Sequence, residues 1–199
     1  ALKSMGFPIK KLVIATNKND ILTRFFESGE MKMHGVHPSL SPSMDIQISS
    51  NFERYLFDLF ERDSKRLEQT MQSFKQNKSL KLESDLMDKA RETFSAGRCD
   101  DEQTLNTIKL IHDQTNGMII DPHTATGVHV ANQHIRDGKL DGPVIVLGTA
   151  HPAKFPDAVK KAIDIEPPLP KDLADLYQRD EYYTVVENDE SALRQAIER

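Results

Sequence analysis

The sequence predicts an α/β fold, part of a parallel sheet covered by helices, with a helical insertion around residues 50–116. Three observations carry that expectation. Residues 11–16 (Lys-Leu-Val-Ile-Ala-Thr) and 143–148 (Pro-Val-Ile-Val-Leu-Gly) are short apolar runs rich in β-branched residues and bounded by turn signals, the pattern of strands buried on both faces. Between and after them, apolar residues recur at helical spacing. Sheets covered on both faces usually hold about four or more strands. Only these two runs read as such strands, so the others are expected in another part of a longer protein or in a partner.

The elements follow in order. Leu2, Met5 and Gly6 read as the last turn of a helix with a glycine C-cap. A helix already under way at residue 1 suggests a larger protein cut within an element. After the first strand, Asn19 or Asp20 is placed to cap a short helix carrying Ile21, Leu22, Phe25 and Phe26, and Gly29 stops it. Residues 30–48 show no period and read as a long ordered loop. Ser50 with Glu53 reads as a capping box opening a helix whose face holds Phe52, Tyr55, Leu56, Leu59 and Phe60. Residues 64–116 read as polar helices with narrow stripes: Leu67, Met71 and Phe74; Leu86, Ala90 and Phe94; Leu105, Ile108 and Ile111. Asp121-Pro122 is a helix start, Asp as N-cap and Pro in the first turn. Phe155, Val159, Ala162 and Ile163 mark the next helix. Pro167, Pro168 and Pro170 make a rigid connector, residues 182–186 suit an edge strand, and Asp189 caps a final helix.

Composition narrows the functional classes. The chain has 199 residues and 26 Lys+Arg against 31 Asp+Glu, a net charge of −5. That acidic balance argues against a nucleic-acid partner, which calls for a basic excess. A single cysteine, Cys99, excludes an intramolecular disulfide framework and points to a reducing, cytoplasmic setting. The mean hydropathy is −0.54, and no apolar run approaches the roughly 20 residues of a membrane span. His34 and His37 have a tempting metal spacing, but no cysteine accompanies them, and a structural zinc site takes four nitrogen or sulfur ligands. No metal is expected. Ligands of such sheets bind beyond the carboxyl ends of the strands. Thr16-Asn17 and Thr149-Ala150-His151 stand at those two ends.

Five segments occur in a compatible order: Ala15-Thr16-Asn17-Lys18-Asn19-Asp20, Leu40-Ser41-Pro42-Ser43-Met44-Asp45-Ile46, Ser50-Asn51-Phe52-Glu53-Arg54, Asp121-Pro122-His123-Thr124-Ala125, and Gly148-Thr149-Ala150-His151-Pro152-Ala153-Lys154-Phe155. Through them the chain resembles the C-terminal half of threonine synthase, essentially from end to end. The resemblance implies a pyridoxal-phosphate enzyme of the tryptophan-synthase-β fold type (fold type II). It implies a carbon–oxygen lyase of threonine biosynthesis that turns O-phospho-homoserine and water into threonine and phosphate. On this reading, residues 1–199 are a C-terminal fragment of the large catalytic domain, incomplete as an enzyme alone. The Schiff-base lysine and the glycine-rich loop that holds the cofactor phosphate belong to the N-terminal half, which becomes the expected partner. Ser73-Phe74-Lys75 looks like the lysine motif but lacks the Asp that follows it in the family.

The resemblance also implies the site residues. No catalytic residue is expected in this segment. Thr149 matches the threonine whose hydroxyl meets the pyridine nitrogen of the cofactor. A hydroxyl can donate to a neutral pyridine nitrogen, whereas a carboxylate favours pyridinium. His151, Lys154 and Asn17 are candidates to line the site. Asn19, Asp20 and Asp121 read first as turn or cap residues. His123 and Thr124 read as support for the helix start, and Ser41, Ser43 and Asp45 as loop residues without an assigned role. Two alternatives stand beside this reading: a threonine-synthase-like phospho-lyase acting on a related phosphorylated amino acid, and a non-catalytic α/β interaction module.

Overall fold

The computed structural model describes residues 2–198. It divides at Pro167 and Pro168 into two compact units.

The first unit is built around a two-stranded parallel sheet. Strand β1 (Leu12–Thr16) pairs with β4 (Phe94–Arg98), in a register that sets Leu12 opposite Phe94 and Thr16 opposite Arg98. Between them run α1 (Ile21–Ser28), β2 (Glu30–Lys32), α2 (Ser50–Leu59), α3 (Ser64–Asn77), β3 (Ser79–Lys81) and α4 (Ser84–Thr93). Strands β2 and β3 form a short antiparallel ribbon. After β4 come α5 (Asp101–Gln114), α6 (Pro122–Arg136) and α7 (Pro156–Ile163).

Side chains alternate between the faces of a strand, and the two faces of β4 have different neighbours. Phe94 and Ala96 face the aromatic core. There Phe25, Phe26 and Phe52 pack edge to face with centroids 5.1–5.2 Å apart, and Tyr55 meets Phe94 at 4.6 Å. Leu56, Leu59, Met71, Phe74, Met87 and Ala90 complete this core from α2, α3 and α4. The other face, at Gly97, lies against Val130 of α6. Phe74 is buried while Lys75 is exposed, so Ser73-Phe74-Lys75 is a core phenylalanine beside a solvated lysine.

Local signals hold at several termini. Gly6 and Gly29 adopt left-handed φ of 89° and 80° as C-caps. The first turn is a 3-10 helix, Lys3–Met5, and the expected start at residue 1 lies outside the described residues. Asp121 caps α6 with Pro122 in its first turn, and Asp189 caps the last helix, Glu190–Ile197. The α2 cap is Ser49, one residue before the expected Ser50, and its Oγ accepts from the Phe52 N–H. Asp20 makes no side-chain cap. Its carboxylate instead pairs with Arg24 at 2.8 Å and Arg98 at 3.1 Å.

The structure corrects the expected strands. Residues 143–148 form no strand: Ile145 is 87% and Leu147 74% exposed. Only β-branched propensity favours a strand there. Among the described residues no neighbouring strand offers a ladder, and without one the segment is irregular chain, not sheet. Residues 182–186 are likewise irregular and without a ladder, with Tyr182 exposed. Residues 64–116 are not wholly helical, since β3 and β4 lie within them. Strand β1 is exposed at Leu12, partly buried along Val13–Ala15 and buried at Thr16.

The second unit, described to residue 198, holds two 3-10 turns, Lys171–Leu173 and Leu176–Gln178, an irregular stretch and α8 (Glu190–Ile197).

Candidate active site

At the carboxyl end of β1 the chain turns into a buried polar knot. Asn17 is 2% exposed, and its side-chain amide is fully engaged inside the protein. Its Nδ2 lies in donor reach of Ser39 Oγ (2.7 Å), Ser41 Oγ (3.0 Å) and Asp45 Oδ1 (2.7 Å). Its Oδ1 accepts from the Asn19 backbone N–H at 2.8 Å. Asn19 in turn donates to Asp45 Oδ1 (2.9 Å) and to the His37 carbonyl (2.9 Å), and accepts from the His37 N–H. Asp45 also takes the Ser39 hydroxyl and N–H. The irregular 33–48 segment is thus folded back on the strand end and fixed by side chains where it lacks backbone ladders. Asn17 is the centre of this knot, its amide engaged by the loop. A cavity of about 130 Å3, lined mainly by apolar groups including Ile14, Ile21, Leu22, Met44 and Ile46, opens beside it.

The loop is anchored a second time by α5. The Asp101 carboxylate meets Lys18 Nζ at 2.8 Å and accepts the Leu40 N–H at 3.1 Å. Burial pushes its carboxyl up, but the bonds from Lys18 and Leu40 outweigh that and hold it below the usual carboxylate value.

Asp121 organises the neighbouring end of the site. Its side chain is wholly buried. Oδ1 accepts from the His123 N–H and from His123 Nδ1, each at 2.9 Å, and Oδ2 accepts the Thr124 hydroxyl. His123 Nε2 then accepts the Ser43 N–H at 3.2 Å, and the imidazole lies 4.5 Å from the Phe155 ring. Thr124 Oγ1 accepts the Thr149 N–H at 3.1 Å. Asp121 thereby ties the Ser43 loop and the Thr149 turn to one helix start.

Thr149 itself is exposed, and its hydroxyl makes no hydrogen bond among the described residues. His151 caps the 3-10 turn Pro152–Lys154, its Nδ1 accepting the Ala153 N–H at 3.2 Å. Lys154 is exposed, with its ammonium 6.0 Å from the Phe155 centroid. Thr149, His151 and Lys154 therefore share one turn. Asn17 reaches that turn only indirectly, through the Ser39–Asp45 loop and Asp121. Reading the sequence missed Asp121, His123 and Thr124 as site supports. The signal was present: an N-cap needs one side chain, and Asp-Pro-His-Thr supplies three polar ones. Among the described residues no group of three His, Cys, Asp or Glu gathers to hold a metal, and no helix is long and apolar enough to cross a membrane.

Comparison with known proteins bears on the family and the fold. Residues 124–197 match the family model described as threonine synthase, C-terminal. The threonine synthase of Pseudomonas aeruginosa is 46% identical over 188 residues, covering 94% of this chain and 39% of that protein. The Saccharomyces cerevisiae threonine synthase is 40% identical, over 81% of this chain and 34% of its own length. A crystal structure of PLP-bound threonine synthase from Brucella melitensis superposes with a TM-score of 0.87 at 46% identity, over 98% of this chain and 41% of that one. The yeast enzyme's structure gives 0.85 at 36% identity, over 98% and 43%. The chain spans about two fifths of the length of these relatives. By sequence and by fold, it belongs to the threonine synthase family and matches its C-terminal part.

Proposed function

We propose that this chain is the C-terminal part of a pyridoxal-phosphate-dependent threonine synthase, a lyase converting O-phospho-homoserine and water to threonine and phosphate. The Schiff-base lysine and the phosphate loop are supplied by the N-terminal part of the same enzyme. The observation that carries the reading is Thr149, whose backbone is fixed by Thr124 while its hydroxyl has no partner among the described residues.

The residues present fit the cofactor. A hydroxyl can donate one hydrogen bond to an unprotonated ring nitrogen, and Thr149 presents such a hydroxyl on an anchored turn. Bound pyridoxal phosphate supplies an electron sink for carbanionic chemistry. Thr149 orients the ring and, by donating instead of accepting, leaves its nitrogen neutral. Ser43 lines the cavity beside Met44 and is tied through His123 and Asp121 to the Thr149 turn, which suits that cavity to the reacting amino acid. A single buried cysteine and a net charge of −5 support a cytoplasmic enzyme with small-molecule substrates and no nucleic-acid partner.

Thr149→Val in the complete enzyme tests the reading. It keeps the shape and removes the donor. An unmet hydrogen bond to a buried group costs roughly 1–3 kcal/mol, so kcat/KM for O-phospho-homoserine is expected to fall about 5- to 150-fold. Wild-type kinetics with full cofactor occupancy would sink the assignment.

A further inference from the structure

We infer that Asp121, acting through the Thr124 hydroxyl, is the positioning residue that holds Thr149 toward the cofactor. This rests on the proposed role of Thr149.

The inference starts from how few hydrogen bonds hold the turn, whose packing on α6 is Val146 against Gly127. Residues 143–148 have no ladder, and two of their apolar side chains are largely in solvent. Among the described residues, the bond from the Thr149 N–H to Thr124 Oγ1 is the one hydrogen bond that residues 143–150 make. Its direction is fixed by chemistry. A carboxylate only accepts, so the single hydroxyl proton of Thr124 must point at Asp121 Oδ2. The lone pairs of Thr124 are then left for the Thr149 N–H. A neutral amide at 121 could donate to Thr124 instead and release that orientation.

The same carboxylate sets the histidine tautomer. Nδ1–H of His123 donates to Asp121, so Nε2 is bare and accepts the Ser43 N–H. Two loops far apart in sequence are thus set against one buried oxygen pair. Among the described residues no lysine or arginine pairs with Asp121. Its charge is held by the donors of its own helix start and by the positive end of the 15-residue α6. A carboxylate that served only to cap the helix would not need to orient the His123 ring and the Thr124 hydroxyl, which make the onward bonds to Ser43 and Thr149.

The test uses the complete enzyme carrying this segment, with variants Thr124→Val, Thr124→Ser, Asp121→Asn and Thr149→Val. Amide exchange at Thr149 is measured without cofactor. Pyridoxal phosphate affinity and the absorption maximum of the bound cofactor are measured by titration of the apo-enzyme. Thr124→Val is expected to speed Thr149 exchange about tenfold or more, to weaken cofactor binding about tenfold and to shift the absorption band, with Thr124→Ser restoring all three. Asp121→Asn is expected to move the same readouts in the same direction. Unchanged exchange in Thr124→Val overturns the inference. So does a cofactor affinity and band left at wild type in Thr124→Val while Thr149→Val moves both. Wild-type affinity and band in Thr149→Val overturn the cofactor role of Thr149 and the positioning role with it, even where exchange shows the lock intact. If Asp121→Asn does not fold, the Val and Ser pair at Thr124 decides the matter.

Discussion

Gly97 and Val130 meet with no room for a methyl group between them. A Cβ built on Gly97 would stand 2.7 Å from Val130 Cγ1 and 3.2 Å from His134 Cε1. Helix α6 lies this close to β4 only because residue 97 has no side chain. Gly97→Ala is expected to destabilise the fold by about 1–3 kcal/mol through overpacking. Val130→Ala in the same chain should recover part of that loss. Urea denaturation of the single and double variants measures both effects, and a Gly97→Ala protein of wild-type stability would contradict the packing.

Asn17 is expected to behave as a structural keystone. Asn17→Ala removes donors from Asp45, Ser39 and Ser41 and an acceptor from Asn19 at one buried point. Leaving such groups unmet costs about 1–3 kcal/mol or more. The 39–45 loop should become a preferred site of limited proteolysis, since little backbone pairing remains to hold it. Unaltered cleavage and stability would show that the knot is dispensable.

Acid should weaken the fold in two steps. Burial holds the His134 imidazole below its ordinary value of 6.5, with Lys139 adding to the effect. Burial and then Arg136 do the same for His129. The folded state therefore takes up these protons less readily than the unfolded chain, and their contribution is complete above about pH 6.5 and lost as pH falls through it. For Asp20, burial pushes the carboxyl up from 3.8, but bonds and charge from Arg24 and Arg98 more than offset this and leave it lowered. Its stabilising contribution is complete above about pH 4 and is lost as pH drops further. Urea midpoints should hold from pH 8 to about pH 6.5 and fall below it toward pH 3, with His134→Gln flattening the upper step and Asp20→Asn the lower. A midpoint that rises on acidification would refute the assignment.

Exposed apolar chain at 143–148 should make the isolated segment self-associate. Ile145 and Leu147 are 87% and 74% exposed, and the backbone beside them carries unpaired N–H and C=O groups, a template for strand pairing. Light scattering over a concentration series is expected to show growing mass, reduced by the double change Ile145→Lys and Leu147→Lys. A monodisperse monomer at all concentrations would count against this.

What the sequence determined by itself lies within a few residues of chain. Gly6, Gly29, Asp121-Pro122 and Asp189 were legible as helix ends because a cap is a bond between a side chain or a left-handed residue and the next turn. The stripe Phe52, Leu56 and Leu59 was legible because burial follows a 3.6-residue period. The motifs from Ala15 to Phe155 were enough to identify the family.

Only the tertiary structure decided how distant segments meet. Strand β4, Phe94-Ser-Ala-Gly-Arg98, carries no β-branched residue and does not read as a strand; its ladder to β1 and the pressure of Val130 on Gly97 make it one. Residues 143–148 show the reverse, strong strand propensity with no ladder to complete it. Asn17 read as a candidate to line the site, and the structure adds that the 33–48 loop folds back over its amide. Thr124 read as helix support until the Thr149 turn settled on its hydroxyl. Propensity and capping are local energies written in neighbouring residues, whereas a ladder or a buried hydrogen bond exists only once both partners, often tens of residues apart, have been brought together.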